Sequence, residues 1–131
     1  MHIECFETPQ EAVGAILHVK KCGMKCGLAI KPETSIEGLL FLMNILDFVL
    51  VMTVSPGFGG QKMIEKCLTK AKELRAECPN LNIEVDGGIT PENVHIATEA
   101  GCNWIVSGTG ICASSNQKET IRLMRQKVKS S

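Results

Sequence analysis

One pattern recurs along this chain and restricts its fold more than anything else. A short apolar run is followed by a turn rich in glycine or proline, and then by apolar side chains at helical spacing. Strict alternation of this kind means a parallel sheet, because parallel neighbours need a crossover and a helix supplies it. Residues 1–5 read as the end of a strand. Thr8-Pro9-Gln10-Glu11 then offers an N-cap, a proline at the first helical position and an acid three residues after the cap. Ala12, Ala15, Ile16 and Val19 continue at helical spacing until Gly23 stops the helix. Further strands read at residues 25–30, 48–54, 82–85 and 104–106. Helices follow to about residue 44, over about 61–77, from Thr90-Pro91-Glu92 to Gly101, and after a Ser114 cap with Gln117 three residues on. The expectation is an α/β domain of about five parallel βα units, its strands apolar on both faces as a doubly covered sheet requires.

Residues 1–131 read as a single domain, of a size that buries a real core. Lys and Arg total 14 and so do Asp and Glu, a net charge of zero. That balance argues against nucleic acid and anionic membrane, and for a small-molecule partner. The apolar stretch at 39–54 is broken by Asn44 and Asp47, so it reads as a short helix and a buried strand, not a membrane span. No basic region followed by an apolar run opens the sequence, so no signal peptide is expected. Seven cysteines (Cys5, Cys22, Cys26, Cys67, Cys78, Cys102 and Cys112) are an odd number without framework spacing. They read as reduced thiols and imply a cytoplasmic location.

Chemistry collects at the C-terminal ends of the strands, where α/β folds place function. Gly57-Phe58-Gly59-Gly60 lies between a strand and a helix. Such a loop lets backbone N–H groups reach an anion, or it is a tight turn that needs positive φ. Asp86-Gly87-Gly88 puts a carboxylate at a strand end with bare backbone beside it; the plainer reading is a turn-forming aspartate. Ser107-Gly108-Thr109-Gly110 follows the next strand with N–H and hydroxyl donors, where barrels often hold phosphate. The order of the last two motifs, one βα unit apart, is more specific than either. His2, His18 and His95 form no spaced ligand set, and His18 and His95 fall within helices. His2 and Glu4 share a strand face, as a site edge or as packed strand residues. Met52 reads as a pocket residue or as ordinary core.

Taken together, residues 50–61, 83–88 and 105–109, with Leu28-Ala29-Ile30-Lys31-Pro32 and His2-Ile3-Glu4, resemble the ribulose-phosphate 3-epimerases. The resemblance covers essentially the whole chain and maps to the last five of that family's eight βα units, the N-terminal three being absent. It implies a partial TIM (β/α)8 barrel and an isomerase interconverting D-ribulose 5-phosphate and D-xylulose 5-phosphate in the pentose phosphate pathway. The family uses two aspartates on opposite faces of one carbon, with a divalent cation (Zn, Fe, Mn or Co) polarising the carbonyl. On that resemblance Asp86 is a catalytic acid/base and a metal ligand. Met52, Gly57, Phe58, Gly59, Gly60, Gly87, Gly88, Gly108 and Thr109 correspond to substrate- and phosphate-binding positions. It further implies a homodimer. Five units are short of a barrel, and three readings stay open: a truncated product that folds poorly, a barrel completed by pairing with another chain such as a full-length subunit, or an open sheet.

The departures are specific. The family's other catalytic aspartate lies on its second strand and its remaining metal ligands on the second and third, outside the matched units. Ser55 stands where a Glu is frequent, and Glu33 and Gly110 where a Gly and an Ala are usual. A turn with positive φ at Glu33 would be mildly strained. The expectation is an epimerase by descent whose chain alone is weakly active or inactive. The alternatives are a non-catalytic phosphate-binding or assembly module, or another phosphate-handling barrel enzyme.

Overall fold

The computed structural model describes residues 1–129. Its centre is one parallel sheet of four strands in sequence order, β1 (Gly27–Ile30), β2 (Phe48–Met52), β3 (Asn82–Asp86) and β4 (Trp104–Val106). The helices are α1 (Pro9–Lys21), α2 (Leu68–Glu77), α3 (Val94–Glu99), α4 (Thr109–Cys112) and α5 (Gln117–Lys129), with 3₁₀ turns at Ile3–Cys5, Glu37–Ile45 and Glu65–Cys67. Strand order equal to chain order, with a helical crossover between neighbours, is the arrangement of a partial (β/α) barrel laid open.

The core lies on one face of the sheet. Leu28, Ile30, Val49, Val51, Ile83 and Val85 are fully buried there against Ile16, Leu42, Leu74 and Val94. Their sequence positions alternate, so the residues between them point to the other face. On that second face Phe48, Leu50, Asn82, Glu84 and Asp86 are only half-buried and Trp104 is 39% exposed. Burial on both faces therefore holds for β1, whose four residues are all buried, and fails across most of β2, β3 and β4. The run Asn82-Ile83-Glu84-Val85-Asp86 already alternates polar with apolar, which is the pattern of a half-covered strand.

Other expectations needed revision for local reasons. Residues 1–5 are not a strand: His2 makes a single parallel bridge to Ala29, and Ile3–Cys5 then turns as 3₁₀ helix. Glu4 holds that turn down, its carboxylate accepting from the Lys31 N–H at 2.8 Å and the Thr34 hydroxyl at 2.5 Å. The segment before β2 is 3₁₀ over Glu37–Ile45 rather than α, although its buried Leu39, Leu42, Met43 and Leu46 keep the spacing of an ordinary helix. Residues 61–64 are not helical either, since the Ile64 N–H is taken by the Thr53 carbonyl at 2.8 Å. The cap of α5 is Asn116, whose side-chain oxygen accepts from the Glu119 N–H at 3.2 Å; Ser114 serves the turn before it. Among the described residues no non-glycine residue has positive φ, so Glu33 carries no such strain. The helix α1 begins as read, with Thr8 accepting from the Glu11 N–H and Pro9 first in the helix.

At the opposite end of the sheet from the glycine turns, Asp47 ties three strand entries together. Its carboxylate accepts from the Cys26 N–H at 2.7 Å and from Lys20 Nζ at 3.1 Å, and its carbonyl accepts from Asn82 Nδ2 at 3.3 Å. The Cys26 amide first, then Lys20, holds the Asp47 carboxyl below its ordinary range. A depressed folded-state pKa contributes stability above the unfolded value of about 3.9, and that contribution is lost as pH falls through the lower folded value. Asp47→Asn is therefore expected to flatten the acid limb of a stability–pH curve below about pH 4, with little change in its slope near neutrality. Thermal melts across that range check it.

Candidate functional site

The C-terminal ends of β2, β3 and β4 surround a cleft of about 500 Å³. Asp86, the last residue of β3, is in register with Met52 of β2 and Val106 of β4. Its carboxylate thus stands at the mouth, half-buried, with the buried Met52 beside it. Gly57, Phe58, Gly59 and Gly60 line it together with Gly87, Gly88, Gly108 and Thr109. All ten positions read from the sequence thus line a single cleft, although turns separate them by up to 57 residues of chain (109 − 52). Phe58 joins from the rim, 84% exposed.

Close backbone contact explains the glycine pair. Gly87 and Gly88 have φ of 130° and 66°, values that side chains disfavour. A Cβ on Gly88 would lie 2.3 Å from the Met63 nitrogen and 2.6 Å from the Gln61 carbonyl, because residues 61–63 cross directly over the turn. By contrast, Gly57, Gly59, Gly60 and Gly108 have open space where a Cβ would stand. The turn is packed, and the loop beside it faces room for a ligand.

Sequence reading missed Thr53, the residue that holds Asp86 in place. Thr53 is fully buried. Its N–H donates to the Asp86 carbonyl at 2.9 Å, and its hydroxyl lies 3.0 Å from that carbonyl and 2.7 Å from the Gly87 carbonyl. A lone threonine inside Val51-Met52-Thr53-Val54 was the available signal. Thr53→Val should cost about 1–3 kcal/mol, the usual penalty for stranding buried acceptors, while Thr53→Ser should recover most of it; thermal denaturation followed by circular dichroism measures both.

Two expected donors differ in use. Ser107 spends its hydroxyl on the Ile89 carbonyl at 2.6 Å, so it braces the loop after β3 instead of facing the cleft. Thr109 opens α4, with Gly108 as its cap residue, and both line the cleft. His2 is bonded to Glu4 at 3.3 Å, as neither site edge nor packed strand residue, while His18 and His95 are exposed on α1 and α3.

Glu84 lies two residues before Asp86 on the same half-covered face. Burial first, and the Asp86 charge second, hold the Glu84 carboxyl above its usual range. Among the described residues no three His, Cys, Asp or Glu side chains cluster as a metal site. Asp86 alone does not fit a resident cation. All seven cysteines are free, and burial pushes the Cys102 thiol up to about 12. No helix among the described residues is long and apolar enough to cross a membrane.

A parallel βα sheet in chain order, with a carboxylate and glycine turns at its C-terminal edge, is the arrangement of part of a (β/α) barrel. The sequence pattern of the Ribulose-phosphate 3 epimerase family matches residues 1–112. The chain is 40% identical to a ribulose-phosphate 3-epimerase of Candida glabrata over 95% of its own length and 50% of that protein's. It is 42% identical to one of Eremothecium gossypii, over 98% and 52%, and 38% identical to one of Bacillus subtilis, over 82% and 52%. The chain belongs to the ribulose-phosphate 3-epimerase family. It spans about half the length of the curated relatives it matches. Those relatives are, by name, isomerases acting on a phosphorylated sugar.

Proposed function

We propose that the Asp86 cleft binds a five-carbon ketose phosphate of the ribulose 5-phosphate and xylulose 5-phosphate type, and that Asp86 moves the proton on one face of the carbon beside the ketone. The observation that carries this is the convergence of one carboxylate and three glycine-bearing turns on a single cleft. Backbone N–H groups of Gly57 to Gly60 and of Gly108 and Thr109 are the natural donors for the phosphate. Asp86 would take the proton as a base, leaving an enediolate, and return it as an acid. Inversion needs a second proton donor on the opposite face, and the described residues place no other carboxylate there. Glu84 sits on the same strand as Asp86 and below it.

The second acid is therefore supplied from outside the described residues, and so are the remaining ligands of any divalent cation of the zinc, iron, manganese or cobalt kind. The half-covered sheet face and the β4 edge offer the place where further βα units, or a full-length subunit, would pair. A cytoplasmic setting agrees with the seven free thiols and with the rice relative named as a cytoplasmic isoform.

Titrating the purified chain with xylulose 5-phosphate, followed by the amide resonances of Gly57–Gly60, Gly87 and Gly88, tests the binding half. Shifts confined to those positions are expected, and their absence would sink the proposal. One specific observation favours a second reading, a non-catalytic phosphate-binding or assembly module: the cleft holds a single acid. That reading gains if the ligand binds and the chain, mixed with a full-length relative and isolated as a complex, adds no turnover.

A further inference from the structure

The loop after β2 bears no regular structure, yet one side chain spans it. Gln61 donates its carboxamide Nε2–H₂ to the Ser55 carbonyl and to the Phe58 carbonyl, each at 2.8 Å. Both amide hydrogens are thus used, closing the five residues from Pro56 to Gly60 into a ring. Gly57, Gly59 and Gly60 have nothing packed where a Cβ would sit, so neighbouring side chains do not fix their orientation. A trans peptide directs its C=O and the following N–H to opposite sides. Holding the Phe58 carbonyl on Gln61 therefore fixes where the Gly59 N–H points.

We propose that Gln61 is a positioning residue: its carboxamide pins the Ser55 and Phe58 carbonyls and so presets the Gly57–Gly60 amides to receive a phosphate. This rests on the reading of that loop as a phosphate site. The ordering cost that a free loop would meet on binding is then met during folding, which raises affinity without any contact between Gln61 and the ligand. The backbone of Gln61 crosses Gly88, so the same residue couples the loop to the turn that carries Asp86.

Gln61→Met tests the proposal, since methionine keeps length and neutrality but donates nothing. Binding of inorganic phosphate is measured by calorimetry, backbone order by nitrogen-15 relaxation, and fold integrity by thermal melting. The expected result is a loss of at least about tenfold in phosphate affinity. Order parameters at residues 57–60 should fall from near about 0.85 to below about 0.6 without phosphate, with the melting midpoint unchanged. Unchanged affinity and unchanged order in the variant would overturn the proposal. If the unsubstituted chain binds no phosphate, the reading of the site fails instead, and the ligand-free order parameters still decide whether Gln61 holds the loop.

Discussion

Gly88→Ala is expected to lower the melting midpoint of this chain by roughly 10 °C and to abolish ligand-induced shifts in the Asp86 cleft. Two costs combine. Alanine must adopt φ near 66°, and its methyl must occupy space 2.3 Å from the Met63 nitrogen. Backbone cannot yield as a flexible side-chain end can, so residues 61–63 would have to lift away from the turn. Positive φ in a side-chain-bearing residue costs about 1–2 kcal/mol, and overpacking adds about 1–3 kcal/mol. Gly59→Ala is the matched control, because Gly59 lies in open space without positive φ. It should shift the midpoint by less than about 2 °C. Equal effects from the two substitutions would show that the packed crossing does not exist.

The second large effect concerns the proton. A site with Asp86 as its one acid can remove a proton and return it to the same face. Incubated with xylulose 5-phosphate in deuterium oxide, the chain is expected to exchange label at the carbon beside the ketone with configuration retained. Asp86→Asn should slow that exchange by about 10²–10⁴-fold, the usual contribution of a positioned acid/base, while leaving phosphate affinity within a few-fold. Proton NMR of the recovered sugar reads both label and configuration. Robust inversion by the chain alone would show that a second acid is present and would overturn the one-acid account.

Much of this was legible in the linear order of residues. Alternation of apolar runs with helical segments specified parallel strands, because neighbours joined by a helix cannot be tight hairpins; that they lie in chain order followed from the family resemblance, not from the alternation. The cleft residues were legible for the same reason. In such a topology every strand's C-terminal turn arrives at one edge, so Gly57, Asp86 and Gly108 had to meet. Boundaries were less legible: the Ile3–Cys5 turn depends on Glu4 reaching the Lys31 amide, 27 residues away, and no local pattern contains that bond. The 3₁₀ form of Glu37–Ile45 was not legible, because Leu39, Leu42, Met43 and Leu46 present the spacing of an ordinary helix.

What sequence settled without the structure is the family, through motif order, and the parallel run of the strands, through connectivity; the residues around Asp86 came with the family resemblance. What the tertiary structure alone decided is which groups hold those residues in place. Thr53, the residue just after β2, reaches across to the carbonyls of Asp86 and Gly87, Gln61 spans its own loop, and residues 61–63 press on Gly88. It decided as well that one sheet face stays half-covered, with Glu84 and Asp86 on it. The physical reason is common to all of them. Connectivity constrains where segments go, but hydrogen bonds and close contacts depend on distances between segments, and only packing sets those.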